Sequence, residues 1–258
     1  MKPPGKPLAF FAMLLGMAYL AICGLLYLSQ RSFIYFPTPR HAGIPAFVLD
    51  GGDADVVVST NGAEGPCAVL YFGGNAEDVS LTVGQLSRAF PGHVVYAMHY
   101  RSFGGSTGNP SEHALVADGK RLFNLVAGKH SCIVIVGRSL GSGIAIQVAA
   151  GKPVRHLVLV APYNSILELA KQRFRLFPIG LILRDRYESW RYAPLVRAPT
   201  TLILAGRDRV IPNASSFRLA NAFVPGMAKV VRIPGADHNN VSEFPEYAAA
   251  LGGAEATK

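Results

Sequence analysis

Residues Cys132–Ala150 hold a serine in a setting suited to nucleophilic chemistry. An apolar β-branched run, Ile133-Val134-Ile135-Val136, leads straight into Gly137-Arg138-Ser139-Leu140-Gly141, and a helix-like segment of small residues follows. Strand, sharp turn and helix lift the Ser139 hydroxyl above the carboxyl ends of a sheet. The helix that starts behind it offers free N–H groups where an oxyanion would form. A serine hydroxyl is a weak nucleophile at neutral pH. It needs a neutral imidazole to take its proton and a carboxylate to hold that imidazole in the right tautomer. Serines on such a turn are followed in the chain by the carboxylate and then by the histidine. That order filters the seven histidines hard. His41, His93, His99, His113 and His130 precede the serine, and His156 opens a strand at the wrong end of the sheet. His238 lies in the turn-rich Pro234-Gly235-Ala236-Asp237-His238-Asn239-Asn240, behind a strand predicted at Lys229–Ile233, and is the candidate base. Asp208, in Gly206-Arg207-Asp208-Arg209-Val210-Ile211-Pro212 behind the strand Thr200–Leu204, is the candidate carboxylate. Asp237 is its rival, but a direct sequence neighbour reaches the Nδ1 of His238 with difficulty, and a turn role suits it better.

The pattern G-x-S-x-G occurs a second time, at Gly104-Gly105-Ser106-Thr107-Gly108. Pro110 follows too closely for a helix to start there, so Ser106 is expected to be a loop residue. The oxyanion of an acyl-transfer intermediate needs two convergent N–H donors. The Leu140 amide, directly after the nucleophile, is one. The loop after an early strand supplies the other, and Tyr71-Phe72-Gly73-Gly74-Asn75-Ala76-Glu77-Asp78 nominates the Asn75 amide.

These groups need a scaffold. Apolar strands are predicted at Ala68–Phe72, Val94–Met98, Ile133–Val136, Leu157–Val160, Thr200–Ala205 and Lys229–Ile233, and helices at Asp78–Phe90, from Ser111 to about Val126, at 214–224 and after about 241. Continuous apolar strands alternating with helices mean a mostly parallel α/β sheet covered on both faces. The stretch from Pro162 to Thr200 is too long for one crossover helix and reads as a small helical cap, about 163–197, passing over the active-site end. Its apolar residues are candidates for an acyl pocket or a membrane contact, with Arg173, Arg175, Arg184 and Arg186 at the headgroups; packing onto the domain core is the plainer alternative.

The chain has 258 residues, 50% hydrophobic and only 16% charged, with a net charge of +9. No basic cluster interleaved with aromatics supports nucleic-acid binding. No histidine stands at ligand spacing from Cys, Asp or Glu, and no phosphate loop occurs, so neither a metal nor another cofactor is expected. Leu8–Leu28 is an uncharged run of 21 residues, long enough to span a bilayer. The expected organisation is a transmembrane anchor over 1–30 and a hydrolytic domain over 31–258. Lys2 and Lys6 bias the amino terminus inwards, which puts that domain outside the cytoplasm. Of the three cysteines, Cys23 is in the span. Cys67 and Cys132 each open a strand and are expected as buried free thiols, although neighbouring strands would allow a bridge in an oxidising compartment.

The chain resembles the small, singly membrane-anchored alpha/beta-hydrolase-domain proteins, close to the serine aminopeptidase and prolyl-oligopeptidase-like hydrolases. The resemblance rests on Phe33-Ile34-Tyr35-Phe36-Pro37, Phe72-Gly73-Gly74-Asn75-Ala76, Tyr100-Arg101-Ser102-Phe103-Gly104 with Gly108-Asn109-Pro110-Ser111-Glu112, the Ser139 turn, Gly206-Arg207-Asp208 with Ile211-Pro212, and Gly235-Ala236-Asp237-His238. It implies an alpha/beta-hydrolase fold and a triad of Ser139, Asp208 and His238. Relatives usually carry His-Gly-Asn where this chain has Gly73-Gly74-Asn75, which keeps the backbone donor and removes a histidine's support. Esterases, thioesterases and peptidases share this frame. The anchor and the greasy cap favour a carboxylic ester or thioester with an apolar acyl chain, from a small-molecule or lipid-like substrate. A peptidase and a catalytically silent membrane scaffold are the alternatives.

Overall fold

The computed structural model describes residues 6–253 except residue 51. Lys2, on which the orientation expectation partly rests, lies outside the described residues. The first element, α1 (Lys6–Ser29), runs into a 3-10 turn at Gln30–Phe33, and by length and composition this helix is apolar enough to cross a membrane. The strands are β1 (Ala46–Leu49), β2 (Val56–Thr60), β3 (Cys67–Phe72), β4 (His93–Met98), β5 (Cys132–Arg138), β6 (His156–Val160), β7 (Thr200–Ala205) and β8 (Ala228–Ile233). Between and after them lie the helices α2 (Val83–Ala89), α3 (Glu112–Ala127), α4 (Leu140–Ala149), α5 (Ile166–Arg173), α6 (Ile179–Ile182), α7 (Ser189–Tyr192), α8 (Asn213–Ala222) and α9 (Pro245–Gly252).

One eight-stranded sheet results, in the order β1-β2-β4-β3-β5-β6-β7-β8. β3 to β8 run parallel, and β1 and β2 are antiparallel to their neighbours. Side chains alternate between two buried faces. Leu70, Phe72, Ile133 and Ile135 enter one core, and Val69, Tyr71, Val134 and Val136 enter the other. Burial on both faces is why these strands read as unbroken apolar runs rather than as alternating ones. The chain leaves β3 to one side for β4 and returns to the other side for β5. The carboxyl ends of β3 and β5 therefore flank the crevice where sites gather in such sheets, and Gly73–Asn75 and Ser139 emerge there.

The structure departs from the sequence reading in four places. β1 and β2 are not among the predicted strands: β1 is a short, partly exposed edge strand, and such strands lack the continuous apolar signal. The helix expected at Asp78–Phe90 divides into a 3-10 turn, Val79–Thr82, and α2, because the Asp78 carboxylate accepts from Ser80 N at 3.0 Å and starts a tight turn. Cys67 and Cys132 are joined in a disulfide and are not free thiols. They pair across β3 and β5 at the amino ends of the strands, where register places them face to face. His93, opposite Cys67 on β4, stands in the same cluster, with a ring nitrogen and both sulfurs within 4.8 Å of one another, and the bridge keeps those sulfurs from acting as thiolate ligands. Linear spacing did not reveal that cluster because it is made by cross-strand register.

His99, directly after β4, is buried, and its Nε2 lies 2.8 Å from Ser59 Oγ on β2. A Cβ on Gly104 would come within 2.0 Å of His99 Nδ1, and Gly104 sits at φ +57°, so only glycine fits beside this ring. Burial pushes the imidazole from its ordinary 6.5 down to about 4, with Asp78 opposing the fall and Arg40 adding to it. The unfolded chain therefore binds a proton that the folded one refuses. The stability due to neutral His99 is complete above pH 6.5 and is lost as pH falls from about 6.5 to about 4, by about 3 kcal/mol. Denaturation of wild type and His99→Gln across this window is expected to show the wild type losing that much more than the variant. Parallel losses would remove His99 as the cause.

Candidate active site

The Ser139 turn is built by its neighbours. Ser139 holds φ +48°, ψ −117°, a region that costs a non-glycine residue energy. It is pinned there by Ser139 N donating to Val160 O at 2.8 Å and by the Ser142 hydroxyl donating to Ser139 O at 2.7 Å. Its side chain is thereby aimed away from the sheet, and Ser139 Oγ lies 2.9 Å from His238 Nε2.

His238 arrives from the loop after β8, and its Nδ1 lies 2.7 Å from Asp208 Oδ2. Asp208 follows β7, and its other oxygen accepts from Val210 N at 2.9 Å and Ile211 N at 2.8 Å. Those two amides fix the carboxylate's rotation, so its remaining oxygen faces only the imidazole. The Asp208 side chain is 2% exposed and that of His238 11%, so the chain of contacts is shielded from water. The three side chains singled out in the sequence thus meet in one line. Asp237 instead caps its own turn, accepting from Asn239 N and Asn240 N. Ser106 is tied into the edge of the sheet, donating to His99 O and accepting from Val57 N.

The Leu140 N–H belongs to the first residue of α4, whose first turn has no intrahelical acceptors. The loop after β3 passes close to it: a Cβ on Gly74 would stand 3.6 Å from Ser139 Cβ. Asn75, Ser139 and Leu140 all border a cavity of about 260 Å³. Ile166, Leu169 and Phe174 of the connection between β6 and β7 line it together with Leu26 and Ile34. The apolar residues expected to form an acyl pocket thus divide: Ile166 and Leu169 also pack on the core, whereas Leu176 and Leu181 stay exposed.

No family model matches the chain. An uncharacterized protein of Mycobacterium tuberculosis is 33% identical over 231 residues, covering 82% of this chain and 81% of the relative. The alpha/beta hydrolase domain-containing protein aho-3 of Caenorhabditis elegans is 29% identical over 192 residues, 69% of this chain and 54% of that protein. The Pyrococcus furiosus esterase Pf2001 superposes with a TM-score of 0.64 at 16% identity, over 85% of this chain and 96% of the esterase. The chain has the alpha/beta hydrolase fold and is related to alpha/beta hydrolase domain-containing proteins.

Around Ser139 two supporting residues escaped the sequence reading. Glu77 accepts from Gly74 N at 2.6 Å, from the Tyr71 hydroxyl at 2.7 Å and from Thr82 Oγ1 at 2.8 Å, and pairs with Arg138 Nη1 at 3.1 Å. It joins the loop after β3 to the residue before Ser139. Arg138 in turn reaches His238 O at 3.4 Å. Burial, with Glu77 beside it, pushes the Tyr71 phenol well above its usual range, which keeps the hydroxyl a donor. Only the proximity of Glu77 to the paired glycines marked it in the sequence, and that is a weak signal. Glu77→Gln keeps the shape and loses the charge that Arg138 needs. Its expected cost is about 1–3 kcal/mol of stability. A fall in kcat of roughly tenfold at constant KM is expected if the loop loses its position. Steady-state kinetics and thermal unfolding check both.

Proposed function

We propose that this protein is a membrane-anchored serine hydrolase cleaving a carboxylic ester or thioester with an apolar acyl group. The observation that carries the reading is Ser139 in the lining of an apolar cavity, in line with His238 and Asp208. In the first half-reaction Ser139 Oγ bonds to the acyl carbon while His238 Nε2 takes the hydroxyl proton. Asp208 holds the imidazole's tautomer and balances its transient positive charge. The Leu140 and Asn75 N–H groups receive the carbonyl oxygen as it becomes an oxyanion. The C–O or C–S bond to the leaving group then breaks, His238 returns the proton to the departing alkoxide or thiolate, and an acyl-Ser139 ester remains. Water, deprotonated by His238, attacks that ester, and Ser139 leaves with the proton. Among the described residues no carboxylate lines this apolar cavity, while Glu77 and Asp78 line a second cavity that Ser139 and His238 also border; the apolar lining of the first is what supports an acyl ester ahead of an aminopeptidase substrate.

The span of α1 supports a single-pass anchor, and the Cys67–Cys132 bridge supports placing the hydrolase domain on the extracytoplasmic side, where disulfides persist. The test is labelling by a fluorophosphonate probe together with turnover of p-nitrophenyl esters of increasing chain length. Labelling at Ser139 and turnover that rises from acetyl to longer acyl groups are expected. Absence of labelling, or equal turnover by Ser139→Ala, overturns the reading.

A further inference from the structure

The membrane helix does more than end near the domain. Tyr19, Cys23, Leu26 and Gln30 recur at intervals of three and four, which places them on one helical face, and that face is joined to the connection over Ser139. Gln30 Nε2 donates to Ile182 O at 3.0 Å, and Gln30 Oε1 accepts from Arg184 N at 2.6 Å. Arg31 pairs with Asp185 at 3.0 Å, and Asp185 also accepts from the Tyr35 hydroxyl at 3.1 Å. Further down the helix, the Tyr19 hydroxyl donates to Leu176 O at 3.0 Å, and its ring stacks on Phe177 with centroids 5.7 Å apart. At a rise of ~1.5 Å per residue, Tyr19 lies about 15 Å before the end of α1. The segment between α5 and α6 therefore lies alongside the apolar helix, not above it.

Two consequences follow from that placement. Leu26 of α1 and Ser139 border the same cavity, so the anchor is one of its walls. Leu176, whose carbonyl meets Tyr19, and Leu181 of α6 present 83% and 85% of their surface to the surroundings. Exposed Lys171, Arg173 and Arg175 flank them, on stems long enough to return their charges to headgroups. Apolar tips ringed by cations are the composition of a surface that sits about 5–10 Å into a bilayer.

We infer that the segment Phe174–Leu181 is seated in the same leaflet as the exit of α1, and that the cavity receives its substrate, a single-chain ester lipid, from that leaflet along the seam between α1 and this segment. The inference rests on the ester-hydrolase reading for its substrate but not for its geometry.

The test uses the full chain reconstituted in vesicles of phosphatidylcholine with phosphatidylglycerol. In a Trp190→Phe background, a tryptophan introduced as Leu176→Trp is expected to be quenched by brominated phosphatidylcholine and shielded from iodide. Quenching by iodide and not by bromolipid overturns the seating. In the same vesicles, Leu176→Asp with Leu181→Asp is expected to lower hydrolysis of monooleoylglycerol more than tenfold while p-nitrophenyl butyrate turnover stays within twofold, because neither leucine lines the cavity. Equal loss on both substrates, or no loss on the lipid, overturns the route. A wild type that hydrolyses neither substrate defeats the ester reading instead, and the quenching result still decides the seating.

Discussion

Ser139→Ala is expected to lower p-nitrophenyl ester turnover by about 10⁶-fold and to abolish fluorophosphonate labelling, with little change in stability. The size follows from how the group acts. On the proposed mechanism, removing the nucleophile removes the covalent route altogether, leaving only what the proposed N–H donors and the cavity can do for direct attack by water, a residual of about 10³–10⁴ over the uncatalysed reaction. The fold tolerates the change because the strained φ of +48° is held by backbone bonds to Val160 and Ser142 rather than by the hydroxyl. Asp208→Asn is the informative companion. The carboxamide oxygen can still accept from the amides of Val210 and Ile211, but the NH₂ group beside it would face His238 Nδ1 and force the wrong tautomer. A loss of about 10⁴ is expected. The double variant should be no worse than Ser139→Ala alone, since a base with no nucleophile to serve has nothing left to lose. Additive losses in the double variant would mean that the two residues do not act as a unit.

How much of this site was legible in the sequence depends on which forces made each part. Ser139 was legible because the turn that presents it needs a local strand–turn–helix pattern, and local patterns are written contiguously. His238 could be nominated because chain order leaves only His156 and His238 after Ser139, and Asp208 because it stands directly behind a predicted strand. Most of the parallel strands could be read because burial on both faces demands unbroken apolar runs. Whatever depends on the meeting of distant segments could not be read. Cys67, His93 and Cys132 converge through the register of β3, β4 and β5. Glu77 gains its role only when β3 and β5 stand side by side. Gln30 looks like an ordinary polar residue at the end of an apolar run until Ile182 and Arg184 meet it, some 150 positions later. β1 was missed for another reason: an edge strand answers to one neighbour and one partly wet face, so its composition is weakly constrained.

Gly141→Ala is expected to damage both stability and catalysis. The α4 helix packs so closely on the end of β3 that a Cβ at residue 141 would fall 2.0 Å from Phe72 O and 2.5 Å from Gly73 O. Both obstacles are backbone atoms, and neither can turn aside as a side-chain tip would. The helix must retreat, or the end of β3 must. Overpacking of this kind typically costs about 1–3 kcal/mol and more where backbone is the obstacle, so a loss of about 3 kcal/mol or above is expected in denaturation. The catalytic penalty has a separate origin. Leu140 precedes Gly141 directly, and Gly73 leads through Gly74 to Asn75, so on the proposed mechanism the contact relieved by retreat is the one that sets the spacing between the two N–H donors. Moving one donor out of reach of the oxyanion removes transition-state stabilisation worth a factor of about 10²–10³ in kcat. The Ser139–His238–Asp208 line is fixed by other bonds and is expected to survive, so the variant should still be labelled by a fluorophosphonate, more slowly, while its kcat falls. Denaturation curves, labelling rates and kcat on one soluble ester separate these effects. A stable variant with wild-type kcat would mean that the close approach of α4 to β3 does not set the donor spacing.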